Sequence, residues 1–125
     1  MKRIIKTDKA PAAIGPYSQA IETNGTLYIS GQIPLDTATG KLVEAKIVAQ
    51  TEKVFENIGA ILKAAGYGFE NVVKMTVLLA DMGDFKAVNK IYARFYPENP
   101  PARAAFQVTA LPLGSMIEIE TIATK

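Results

Sequence analysis

Two long stretches of helical periodicity, set among short alternating segments, constrain this chain more than any other feature. The first is EAKIVAQTEKVFENIGAILKAAG, residues 44–66. Ile47, Val48, Val54, Phe55, Ile58, Ile61, Leu62 and Ala65 recur there at helical spacing, and Gly66 stands where a C-terminal cap belongs. The second is DFKAVNKIYARFYPENPP. Phe85, Val88, Ile91, Tyr92 and Phe95 form its apolar stripe, Asp81 or Asp84 caps its start, and Pro97 helps to end it. Around them, YSQAIET, TLYISGQI, VVKMTVLLA, ARAAFQVT and SMIEIETIAT alternate with the period of strands. Asn24-Gly25 is a hairpin signal, and LPLG predicts a turn joining the last two strands. The expected order is β-β-α-β-α-β-β, a single α+β domain over residues 1–125.

Two helices cover one face of such a sheet and leave the other bare. VVKMTVLLA nevertheless offers Thr76, Leu78 and Ala80 on its second face, a pattern that does not suit solvent. Burial of that face against another subunit follows, so the chain is expected to be an oligomer.

Composition excludes much chemistry. There is no cysteine and no histidine, which removes disulfides, thiolate nucleophiles, Ser-His-Asp triads and the usual zinc sites. Proton transfer is left to carboxylates, lysines, tyrosines or water. A net charge of +2 without runs of like charge gives no reason to expect nucleic acid or an anionic membrane as the main partner. The basic N-terminal stretch lacks the apolar centre of a signal peptide, and no span approaches membrane length, so a cytoplasmic location is expected.

The stretch PPARAAFQV places a permanent cation, Arg103, at the head of an apolar strand. Left unpaired away from water it costs several kcal/mol, so it reaches solvent, pairs with an internal carboxylate, or meets an anion that arrives as a ligand. Alternation puts Arg103, Ala105, Gln107 and Thr109 on one face and Ala104, Phe106 and Val108 on the other, which is expected to serve the core. Glu118 and Glu120 share a face of the final strand, opposite Ile117, Ile119 and Thr121. With LPLG as a tight connection, a glutamate would come within reach of Arg103, either as a cross-strand ion pair or as a general base beside an anion clamp. Gly15-Pro16 bends the chain before Tyr17. Gly31, next to Ser30, marks either a bulge or a close approach to the backbone. Asn89 is a polar residue on the second helix.

Taken together and in order, APAAIGPYSQAI, LYISGQIPLD, DFKAVNKIYARFYP, PARAAFQV and LPLGSMIEIETIA resemble the RidA/YjgF family of reactive intermediate (enamine/imine) deaminases over essentially the whole chain. The resemblance implies a chorismate-mutase-like fold, one mixed sheet with two helices on one face. It also implies a homotrimer with a central β-barrel and ligand clefts between neighbouring subunits. The implied reaction is hydrolysis of 2-imino acids, tautomers of enamines such as 2-aminoacrylate, to 2-keto acids and ammonia, with no cofactor and no metal. Such substrates are released by pyridoxal-phosphate enzymes. By the same resemblance Arg103 grips the substrate carboxylate, helped by the Ala105 amide, and Glu118 is the catalytic acid; strand period alone does not choose between it and Glu120, which stays in reserve. Tyr17, Ser30, Gly31 and Asn89 line the cleft. Many members carry cysteine where this chain has Ala105; an imine is already electrophilic and needs only water, orientation and proton transfer. A non-catalytic binder of small carboxylates is the alternative function. The endoribonuclease activity attached to some relatives finds no aromatic-basic stripe here.

Overall fold

The computed structural model describes all of residues 1–125. Its elements are β1 (Arg3–Ile5), β2 (Ala20–Thr23), β3 (Thr26–Gln32), α1 (Ile47–Ala65), β4 (Val72–Leu79), α2 (Phe85–Phe95), β5 (Ala102–Gln107) and β6 (Ile117–Thr124). They build one mixed six-stranded sheet in the order β1-β2-β3-β6-β4-β5. Both helices pack on the same side of it. No helix is long and apolar enough to cross a membrane.

The helices form where the periodicity places them. α1 buries Val54, Phe55, Ile58, Ile61 and Leu62 against the sheet, while Val48, read as part of that stripe, is 46% exposed. Gly66 ends the helix at φ 83°, the left-handed conformation that glycine adopts without a steric penalty. Polar residues on the buried face are satisfied by loops: Asn57 donates to the Ile33 and Leu35 carbonyls, and Gln50 Oε1 accepts from the Met116 amide at 2.9 Å. α2 docks through aromatic rings. Phe95 stacks on Phe55 with centroids 4.4 Å apart, and Tyr92 meets Phe55 edge-on at 5.5 Å. Each such pair contributes about 0.5–1.5 kcal/mol beyond area burial, which fixes the face that α2 turns to α1. Asp81 caps the short turn leading into α2 by accepting from Gly83 N at 2.7 Å; Asp84 makes no side-chain cap.

Three expectations are corrected. The N-terminal segment contributes a strand, β1, which pairs antiparallel with β2 and is held by the Arg3–Glu22 ion pair at 3.0 Å. β5 and β6 are not neighbours: β5 pairs only with β4, in parallel through the α2 crossover, and β6 inserts between β3 and β4. The centre of the sheet goes to the strands that bury the most apolar side chains on their inner faces, Met75, Val77 and Leu79 of β4 and Ile117 and Ile119 of β6, all unexposed. The polar-headed β5 takes the edge. Third, the faces of β5 are reversed. Arg103 lies beside Met75 and Ala105 beside Val77, on the helix side, whereas Ala104 and Phe106 lie beside Thr76 and Leu78 on the open side. Phe106 is 48% exposed.

The open side carries no helix. Ile4, Ile21, Tyr28, Ile122 and Lys74 form one row across it, and Phe106, Leu78 and Glu118 another. Ile4 and Tyr28 are 61% and 48% exposed. These uncovered apolar side chains share the face with Lys74, Thr76, Glu118 and Glu120.

Candidate functional site

The site residues fall into two groups. The first is built on β3 and β6. Between Ile29 and Gln32 the β3–β6 register slips by one residue, a bulge in β3 at Ser30-Gly31. The bulge brings the Gly31 backbone under the Glu118 side chain. A β-carbon at position 31 would overlap that carboxylate and lie 2.9 Å from its Cδ, so only glycine leaves Glu118 this path. Both readings of Gly31, bulge and close approach, hold at once. Ser30 Oγ donates to the Ser18 carbonyl at 2.6 Å, and its amide donates to the Gln19 carbonyl, tying the bulge to the segment that carries Tyr17. Tyr17 is 52% exposed, and its hydroxyl accepts from the Ile14 amide at 3.4 Å.

Glu118 faces the open side of the sheet, half-buried, while Glu120 on the same face is exposed. Burial, and secondarily the nearby Glu120 carboxylate, push the Glu118 carboxyl above its ordinary value. A carboxyl tuned upward is better suited to taking a proton and giving it back than an ordinary surface glutamate. Among the glutamates, Glu118 therefore stands out for proton transfer on physical grounds.

The second group is built on β5 and α2. Arg103 Nη1 donates to Asn89 Oδ1 at 2.8 Å. Its guanidinium carbon lies 5.0 Å from the Phe85 ring centroid and 4.8 Å from that of Tyr92. Phe85, Asn89 and Tyr92 occupy positions i, i+4 and i+7 of one helix stripe, and Arg103 lies across it. Tyr92 is buried and its hydroxyl finds no hydrogen-bond partner; burial raises its pKa, and the Arg103 charge opposes that shift. The platform under Arg103 was not read from the sequence, where Phe85 and Tyr92 looked like core stripe alone. The signal was present in the spacing: a polar residue set between two aromatic ones on one helix face.

Of the three arginines, Arg3 pairs with Glu22 and Arg94 with Glu52, while Arg103 has no carboxylate partner. The internal ion pair between Arg103 and a glutamate of β6 is absent. Glu118 points to the open side, Arg103 to the helix side, and β4 stands between their strands. A cleft of about 700 Å³ lies between the N-terminal loop and the turn after β3 and reaches Tyr17, but neither Glu118 nor Arg103 lines it. Chemistry, not concavity within one chain, picks out the site.

An unpaired guanidinium and a carboxyl of raised pKa are thus divided between the two faces of one mixed sheet in a small α+β protein. The chain belongs to the RidA/YjgF family; residues 7–125 match the family model described as Endoribonuclease L-PSP. It is 55% identical over 125 residues to the mouse 2-iminobutanoate/2-iminopropanoate deaminase, covering 100% of this chain and 93% of that one. Two solved structures superpose over nearly the full length. RidA from an Antarctic Psychrobacter has a TM-score of 0.95 and 50% identity, covering 98% of this chain and 99% of that one. TdcF of E. coli, solved with bound serine, has a TM-score of 0.94 and 38% identity, covering 98% of each chain.

Proposed function

We propose that the chain is a hydrolytic deaminase of 2-imino acids and their enamine tautomers, such as 2-aminoacrylate, releasing 2-keto acids and ammonia. Arg103 carries the reading: it is a fixed cation with an aromatic floor, one amide partner and no carboxylate of its own. A guanidinium so placed offers its remaining N–H groups to a planar, bidentate anion. The substrate carboxylate is that anion, with the Ala105 amide beside it. The serine bound by the E. coli relative is likewise a carboxylate with nitrogen on the adjacent carbon.

Glu118 belongs to the same site only across a subunit boundary. The bare sheet face supports a homotrimer in which three sheets turn inward to form a barrel. The Gly31–Glu118 side of one subunit then meets the Arg103–Asn89 edge of the next, with Tyr17 and Ser30 at the rim. In that cleft, water adds to the imine carbon while Glu118 accepts its proton. Glu118 returns that proton to the nitrogen, giving a carbinolamine; it then takes the hydroxyl proton and passes it to the nitrogen as the C–N bond breaks, the electron pair leaving with ammonia and the C=O bond of the ketone forming. No electron is transferred to an acceptor, so no redox cofactor is required, and no thiol is required at position 105.

The test couples the protein to a threonine dehydratase and follows 2-oxobutyrate and ammonia. The wild-type chain accelerates their release, and Arg103→Ala does not while remaining folded and assembled. Wild-type protein that binds 2-oxobutyrate without accelerating hydrolysis is instead a small-carboxylate binder.

A further inference from the structure

We infer that Phe85 and Tyr92 are positioning residues for Arg103, an aromatic platform that sets the affinity of the site for carboxylates. The inference rests on the reading of Arg103 as the carboxylate grip. An arginine at an exposed sheet edge has four rotatable side-chain bonds and loses much of its entropy when a ligand fixes it. Here two independent constraints fix it beforehand. The rings of Phe85 and Tyr92, 5.0 and 4.8 Å from its guanidinium carbon, hold it by their negative faces. Asn89 Oδ1, from the helix turn between them, takes Nη1 at 2.8 Å and sets the rotation of the plane. The other N–H groups make no hydrogen bond within the chain. All three platform residues come from one stripe of α2, and that helix is itself locked by the Phe55–Tyr92 and Phe55–Phe95 contacts, so the grip is referred to the core.

Phe85 is the informative position, because it is only partly buried at the helix start, whereas Tyr92 is a core residue. Phe85→Leu keeps an apolar side chain and removes the ring face. The expected result is a rise of about fivefold in KM and in the dissociation constant of 2-oxobutyrate, the size of a partly exposed cation–π contact. Little change in kcat is expected, because the carboxylate is held alike before and during reaction. Phe85→Tyr, which restores the face, returns both constants to wild-type values. A residue that acted only through packing would move thermal stability and kcat and would not separate KM from kcat.

Fluorinated phenylalanine placed at position 85 provides the second measurement, since it drains the ring face while keeping its shape. Ligand dissociation constants that climb with fluorine number support the platform. Constants unchanged in both the fluorinated series and Phe85→Leu overturn it. Arg103→Ala run alongside separates the two levels: if it also binds and turns over normally, the reading of Arg103 fails, whereas a dead Arg103→Ala beside a normal Phe85→Leu removes the platform alone.

Discussion

Arg103 and Glu118 lie on opposite faces of one sheet, with β4 between their strands. No side-chain rotation within a single chain brings the two groups together, so a site that uses both takes each from a different subunit. Two inactive variants should therefore repair one another. In the proposed trimer, assembled from equal amounts of Arg103→Ala and Glu118→Gln subunits, about a quarter of the interfaces pair an intact arginine with an intact glutamate. Activity near a quarter of wild type after subunit mixing is expected, against almost none for either variant alone. A mixture as inactive as its components would place both groups in one chain's site or remove one of them from it.

Gly31→Ala separates the cost to the fold from the cost to the site. The added methyl meets the Glu118 carboxylate, the far end of a flexible side chain, and also its Cδ at 2.9 Å. The side chain swings away, and the loss of stability stays within about 1–3 kcal/mol, as for modest overpacking. On the proposed mechanism the swing displaces the proton carrier from its water, for which a misplacement of about an ångström costs roughly a hundredfold in rate. Denaturant midpoints measured beside kcat give the comparison, and a variant of wild-type kcat would show that the Glu118 position is not set by Gly31.

The helices and the Glu118 face were legible because each depends on local periodicity: α1 and α2 carry stripes at 3.6, β6 a stripe at two. The position of β5 was not, because it depends on competition among strands for the sheet centre. Nothing within ARAAFQ records that VVKMTVLL and IEIETIAT bury more apolar surface. The same stretch misled about its faces. Phe106 looked like core and Arg103 like the opposite, more polar face, yet the aromatic stripe of α2 offers the guanidinium a floor that no property of β5 announces. β1 escaped notice for a different reason. Three residues beside basic neighbours have no period to read, and the strand exists through its pairing with β2 and the Arg3–Glu22 contact.

Tyr28→Glu tests the bare face. Tyr28 sits on that face beside Ile122, across from Ile21 and distant from the Arg103 edge. A carboxylate there meets apolar partners in an assembled barrel, and burying it unpaired costs several kcal/mol. In a monomer it points to water. Sedimentation should show the assembly dissociating to folded monomers with activity lost, although no catalytic group was changed. An intact, active assembly would mean that this face is not the interface.

The raised Glu118 pKa makes stability and activity depend on pH in opposite directions. Burial and the Glu120 carboxylate favour the protonated form in the folded chain. Between the ordinary glutamate value and the raised one, the folded state then binds more protons than the unfolded state, so stability declines as pH rises through that window. On the proposed mechanism activity climbs across the same window, because Glu118 must be ionised to accept the proton of water. Glu118→Gln has no such proton to lose. It should flatten the decline in urea midpoint with pH, measured at one fixed protein concentration, and abolish the acidic limb of kcat together with most of kcat itself. If that limb persists unchanged in Glu118→Gln, the proton is carried by another group, and Glu120, exposed on the same sheet face, is the one to replace next.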